Sequence, residues 1–258
     1  MLSDVFIHGF LASLFAGLIT GVGGFMIFLK KKYSQDNIDC MLNIAAGVML
    51  AASFFSLLVP SMAEILKFDS DVHVAAFWYV AAVFVGVAFV WTLNSVLPHE
   101  HNNMGRHGPG FSLKKAWLFI IAITLHKIPE GLAVGVAYSG EDFINPDSLV
   151  LGIAFHNIPE GLTIAISLVA AKCSRLKAAL AAAAIGMVQP LGAIIGLLTM
   201  GFSAKLVPLG MAMAGGTLLF VVINEILPET YRVQKTNQAA FALFAGFIAM
   251  TYITMVLD

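Results

Sequence analysis

What most limits the fold of this chain is the length of its uncharged stretches. A hydrocarbon core about 30 Å thick takes roughly 20 apolar residues of helix to cross. Eight runs reach that length, at approximately 4–29, 41–66, 74–97, 115–138, 147–171, 176–201, 205–229 and 236–257. Short polar breaks separate them, among them Lys30 to Asn37, Pro98 to Gly110, Gly140 to Asp142 and Arg232 to Asn237. No break is long enough to fold as a separate domain. Only 11% of the 258 residues are charged, against about a quarter in water-soluble domains. The chain therefore reads as one integral membrane domain over 1–258, an all-α bundle of eight spans embedded in the lipid bilayer.

The charges left over give an orientation. Lys and Arg are retained on the cytoplasmic side of a membrane. The breaks after the odd-numbered runs hold Lys30, Lys31, Lys32, Arg106, Lys114, Lys115, Lys172, Arg175, Lys177, Arg232 and Lys235, which is 11 of the 14 basic residues. The other side has Lys67 and Lys205 and gathers Asp69, Asp71, Glu141, Asp142 and Asp147. Both termini are thus expected outside a cell (inner) membrane, with four cytoplasmic and three external loops. The first run has no basic start and exceeds the roughly 7–15 residues of a signal-peptide core, so it reads as a retained helix. A net charge of −1 leaves no basic surface for nucleic acid. Cys40 and Cys173 adjoin basic loops and read as free thiols rather than as a disulfide framework.

Ionisable residues inside the runs are the informative ones, because each costs about 2.5–3.5 kcal/mol at a helix centre. They are His126, Lys127, Glu130, His156, Glu160 and Glu225. Five of the six fall in two copies of one pattern: His126-Lys127-Ile128-Pro129-Glu130-Gly131-Leu132 and His156-Asn157-Ile158-Pro159-Glu160-Gly161-Leu162. His and Glu at i and i+4 share one helix face, one turn apart. The two runs are antiparallel, so both copies can meet at similar depth. Two imidazoles and two carboxylates suit a divalent ion of the zinc type, and also iron or manganese. Pro129 and Pro159 free the carbonyls of Leu125 and Phe155, and freed carbonyls are tolerated at membrane depth where they line a cavity. A structural His or Glu, or a Pro that only shapes a kink, accounts for one copy alone but not for the duplication.

These residues resemble the ZIP family of divalent metal transporters, in its prokaryotic GufA-like branch, over essentially the whole chain. The resemblance implies an eight-helix bundle whose first and last three spans are inverted repeats around a central helix pair. It further implies a homodimer that carries zinc, iron, manganese or cadmium into the cytoplasm. His126, Glu130, His156 and Glu160 are then the metal site, with the Met49 thioether beside it. Lys127, Asn157 and Gln189 mark a second-position or pathway set, and Glu225, in Asn224 to Glu229, lies nearer the cytoplasmic exit. Many relatives hold two metals, with Asn after the first His and Glu before the sixth-span Pro. Here Lys127 and Gln189 stand at those places, which implies a single transported Zn2+ (or related ion), with the ammonium in place of the second. The alternative is that Lys127 points away and pairs elsewhere.

The break from Pro98 to Gly110 carries His99, His101 and His107 with several glycines. It is either a solvated connection or a collector of released metal. An intramembrane metal-dependent hydrolase is the rival function, because His and Glu on neighbouring helices can also hold zinc with an open water position. It is weakened by the lack of an HExxH pattern and by the near-symmetry of the pair, which leaves no separate general base. Proton coupling and facilitated diffusion remain equally open as driving forces.

Overall fold

The computed structural model describes residues 2–30, 33–68, 71–96, 99–101, 105–107, 115–139, 145–200, 206–230 and 236–257. Helix α1 (Leu2–Phe25) ends in a 3-10 turn, Met26–Phe28. Helix α2 (Gln35–Ala52) continues through a π-helical stretch, Ser53–Leu58, into α3 (Val59–Phe68). Helix α4 (Val72–Val96) is followed by two short strands, β1 (His99–His101) and β2 (Gly105–His107). Helices α5 (Lys115–Ser139) and α6 (Pro146–Ala170) carry the duplicated motif. Then come α7 (Arg175–Gly186), α8 (Gln189–Met200), α9 (Leu206–Val221), a second π-helical stretch (Val222–Ile226), α10 (Leu227–Thr230) and α11 (Thr236–Leu257).

The polar breaks do the work of starting helices. Ser34 and Ser174 accept from the backbone N–H groups of Asn37 and Lys177 at 3.3 and 3.4 Å, and Asn145 accepts from that of Asp147 at 3.0 Å with Pro146 in the first helical position. Helix α6 ends on a Schellman pair: Cys173 N–H donates to the Leu168 carbonyl and Lys172 N–H to that of Val169, each at 3.0 Å.

Among the described residues, seven segments are long and apolar enough to cross a membrane: Asp4–Phe28, Asp36–Lys67, Val72–Thr92, Pro146–Ala170, Arg175–Leu198, Leu206–Asn224 and Asn237–Leu257. The protein is thus a multi-pass, almost wholly helical membrane protein. Helix α5 is as long as α6, 25 residues each, and carries the other copy of the motif.

Three spans depart from the uninterrupted helices that the run lengths predict. The sixth turns at Met187 and Val188 before α8 begins at Gln189-Pro190, since Pro190 has no N–H with which to continue the ladder. The second and seventh widen to π geometry, and each π stretch is followed two residues later by a proline, Pro60 or Pro228. Inserting one residue into the turn accommodates the ring that would otherwise press on the carbonyl four residues back. In the connection after α4, the two described strands pair antiparallel, with His99 opposite His107 and Glu100 opposite Arg106.

Close backbone approach knits the helices in pairs, through glycines facing carbonyls in both directions. A Cβ on Gly131 would lie 1.9 Å from the Gln189 oxygen and one on Gly192 2.2 Å from that of Ile128, which joins α5 to α8. Gly161 against Thr20 and Gly23 against Ile158 join α6 to α1 in the same way. Gly47 and Gly246 do this for α2 and α11, Gly86 and Gly216 for α4 and α9. Small residues let helices pack tightly where lipid removes any hydrophobic drive to associate. Helix α6 is central, with 72% of its apolar window buried, whereas α4 has 17% and turns Phe77, Trp78, Phe84 and Trp91 outward. The core joins Met49 and Leu57 to Leu132, Val134, Leu149 and Ile153, and to Met211 and Leu218.

Candidate metal centre

The two motifs meet inside the bundle, as antiparallel pairing of α5 and α6 predicts. Glu130, His156 and Glu160 each offer a ligand atom, and the three atoms lie within 4.8 Å of one another. His156 Nε2 is 3.7 Å from Glu130 Oε1. Ligand atoms about 2 Å from a tetrahedral zinc stand about 3.4 Å apart, so small side-chain rotations close this set around an ion. All three residues are buried.

Lys127 points into the site, which decides between the two orientations left open by the sequence. Its side chain is wholly buried. The ammonium donates to Glu130 Oε2 at 2.7 Å, pairs with Glu160 Oε2 and donates to Asn157 Oδ1. Three oxygens thus surround the ammonium, two as hydrogen-bond acceptors and one as an ion-pair partner. Two carboxylates buried this deeply would be prohibitive alone, and the shared ammonium offsets one of the two charges. Glu130 Oε1 and His156 Nδ1 make no hydrogen bond.

The remaining sequence candidates are distributed unevenly. His126 is buried one turn before Glu130, within electrostatic reach of His156, but the three-residue cluster forms without it. Met49 is wholly buried on α2 in the core shared with α5 and α6. Gln189 opens α8 and accepts a hydrogen bond from Asn157 Nδ2 at 2.9 Å. Glu225 lies in the second π stretch, and its side chain is outside the described residues. The side chains of His99, His101 and His107 are also outside them. One participant gives no sequence signal: the backbone carbonyl of Ala16 on α1 accepts from Asn157 Nδ2 at 2.7 Å.

This site belongs to a recognisable lineage. The ZIP zinc transporter family model matches residues 98–254. The chain is 36% identical to the zinc transporter GufA of Myxococcus xanthus over 97% of each chain. It is 36% identical to the zinc transporter ZIPB of Bordetella bronchiseptica, over 91% of this chain and 76% of that one. Similarity extends to the zinc transporter ZIP11 of Homo sapiens, at 28% identity over 96% of both. With a family match across more than half its length and relatives aligned nearly end to end, the chain belongs to the ZIP zinc transporter family and is a membrane transporter of metal ions, not an enzyme.

Proposed function

We propose that the protein imports zinc into the cytoplasm through a single site made of His126, Glu130, His156 and Glu160, with the Met49 thioether beside it. The observation that carries this reading is the convergence of Glu130, His156 and Glu160 from two copies of one motif, at ligand spacing and away from solvent. Imidazole and carboxylate bind borderline divalent ions such as zinc, iron or manganese without the hold of a thiolate cage, and cargo must leave as well as enter. The charges agree: two glutamates and Lys127 leave −1 when the site is empty and +1 with a divalent ion present. Lys127 stands where a second cation would otherwise sit, so one metal travels at a time.

In this reading α5 is the fourth of eight spans in a single domain over 1–258, and spans one to three and six to eight are inverted repeats. The duplicated glycine contacts support that symmetry. Thr20, Gly23, Ile44 and Gly47 make the same approaches as Gln189, Gly192, Met213 and Gly216, each 169 residues later. Gly17 and Gly186, with the same separation, face each other directly, as residues on a two-fold axis do. Both π stretches also begin at matched positions, Ser53 and Val222. The reading places both termini outside the cell membrane, on the strength of the basic residues, and makes the assembly a homodimer. Glu225 lines the exit, and His99, His101 and His107 collect released metal.

Zinc uptake into sealed proteoliposomes tests the proposal, with Glu160→Ala reconstituted at the same density. Uptake by the unmodified protein and its loss in Glu160→Ala are expected. No uptake of zinc, iron or manganese by the unmodified protein would overturn the transport reading.

A further inference from the structure

Metal ligation does not account for the amides buried behind the site. Lys127, Asn157 and Gln189 are wholly buried and form one chain of hydrogen bonds, from the ammonium through Asn157 to Gln189, with a branch to the Ala16 carbonyl. Its direction is dictated by its ends. A carbonyl oxygen only accepts and an ammonium only donates. Asn157 lies between the two, so its Nδ2 must face Ala16 and its Oδ1 must face Lys127. The second N–H of Asn157 then needs an acceptor, which makes Gln189 present Oε1 and leaves its Nε2 without a partner. Neither amide is free to flip.

Lys127 and Asn157 hold the same place in the two motifs. Two lysines facing each other there would repel, and two asparagines would leave the glutamates with no counter-charge. The difference between the copies is what allows them to bond. It also divides the ammonium's contacts: it donates to Asn157 and to one oxygen of Glu130, and forms an ion pair with one oxygen of Glu160. Glu130 Oε1 thereby stays turned toward His156.

We propose that Asn157 and Gln189 are positioning residues for the cargo site. By holding one donor of Lys127, they keep the ammonium from taking further carboxylate oxygens, and so set how strongly it competes with the metal. Gln189 acts only through Asn157, as the acceptor that fixes its amide. The inference rests on the reading that this site carries zinc.

Zinc uptake measured as KM and Vmax for the unmodified protein, Gln189→Met, Gln189→Glu and Asn157→Asp tests it. Gln189→Met keeps the side-chain length but removes the acceptor, and should raise the zinc KM several-fold, up to about tenfold, the scale of one neutral hydrogen bond, with Vmax maintained. Gln189→Glu keeps the acceptor and should leave KM at or below the unmodified value. Asn157→Asp draws the ammonium away from the glutamates and adds negative charge, so KM and Vmax should both fall as release slows. A loss of Vmax shared by Gln189→Met and Gln189→Glu with KM unmoved would overturn the proposal, since that is what a packing role produces. If Gln189→Met does not fold, Asn157→Asp decides alone, and an unchanged or higher KM overturns it. Equilibrium zinc affinities in detergent separate the two readings. If the unmodified protein does not transport, the order of those affinities across the variants still supports or overturns the positioning role.

Discussion

Lys127 is the buried counter-charge shared by both motif glutamates. Removing its charge as Lys127→Met leaves Glu130 and Glu160 buried together with no cation. Breaking a buried pair in this way costs about 3–5 kcal/mol. The variant should melt well below the unmodified protein without zinc, and saturating zinc should raise its Tm more than that of the unmodified protein, because the ion replaces the missing charge. Thermal unfolding in detergent with and without zinc checks this, and equal zinc shifts in the two proteins would count against it. The cluster of Glu130, His156 and Glu160 was legible in the sequence because ionisable residues are costly in lipid and these recur at fixed spacing, whereas the same pattern also points to His126, without which the cluster forms. The direction of the Lys127 side chain was not legible, since spacing alone does not say which neighbour a flexible four-carbon stem will meet. Ala16 was invisible for a different reason: its contribution is a backbone carbonyl, which every residue has.

Elements are held by features of two kinds, one at helix ends and one at helix crossings. Lys172 occupies the position after the α6 C-cap with φ of 69°, in the left-handed region that glycine enters without steric cost. Lys172→Gly should therefore stabilise the protein by a few tenths to about 1 kcal/mol, seen as a small rise in Tm with zinc uptake unchanged. At the crossings the sign reverses. A methyl on Gly161 would stand 1.9 Å from the Thr20 carbonyl and 2.9 Å from the Gly24 nitrogen, backbone atoms of α1 that cannot yield without moving the helix. Gly161→Ala should cost upward of about 3 kcal/mol, among the larger single-residue effects, and reduce the recovery of folded protein on gel filtration. Normal recovery and Tm would show that α1 and α6 can separate freely. Most helices were legible from apolar run length, but their interruptions were not. The breaks at Met187-Val188 and at the two π stretches each lie within two residues of a proline, and run length does not register a missing N–H.

At the scale of the whole molecule, the arrangement of charge yields a test of orientation that the two cysteines make practical. Cys40 lies in α2 near its start and Cys173 follows α6; both are exposed thiols outside any disulfide. Cys40 also borders a cavity of about 490 Å³ between the starts of α2 and α11, lined by Asp36, Asp39 and Asn43, which gives a reagent room to reach it. Each thiol sits beside a basic break, Lys30 to Lys32 or Lys172 to Lys177, and positive segments stay on the cytoplasmic face. A membrane-impermeant maleimide should therefore label neither cysteine in intact cells and both in inside-out vesicles. Asp71→Cys in a background lacking the native cysteines should behave oppositely, since residue 71 is exposed between α3 and α4, on the face with few basic residues. The even number of crossings between residues 40 and 173 in the eight-span reading requires that the two native thiols report the same side. Labelling of one from outside and the other from inside would remove a span from the count. Labelling of both from outside would keep the count and reverse the direction in which the bundle faces.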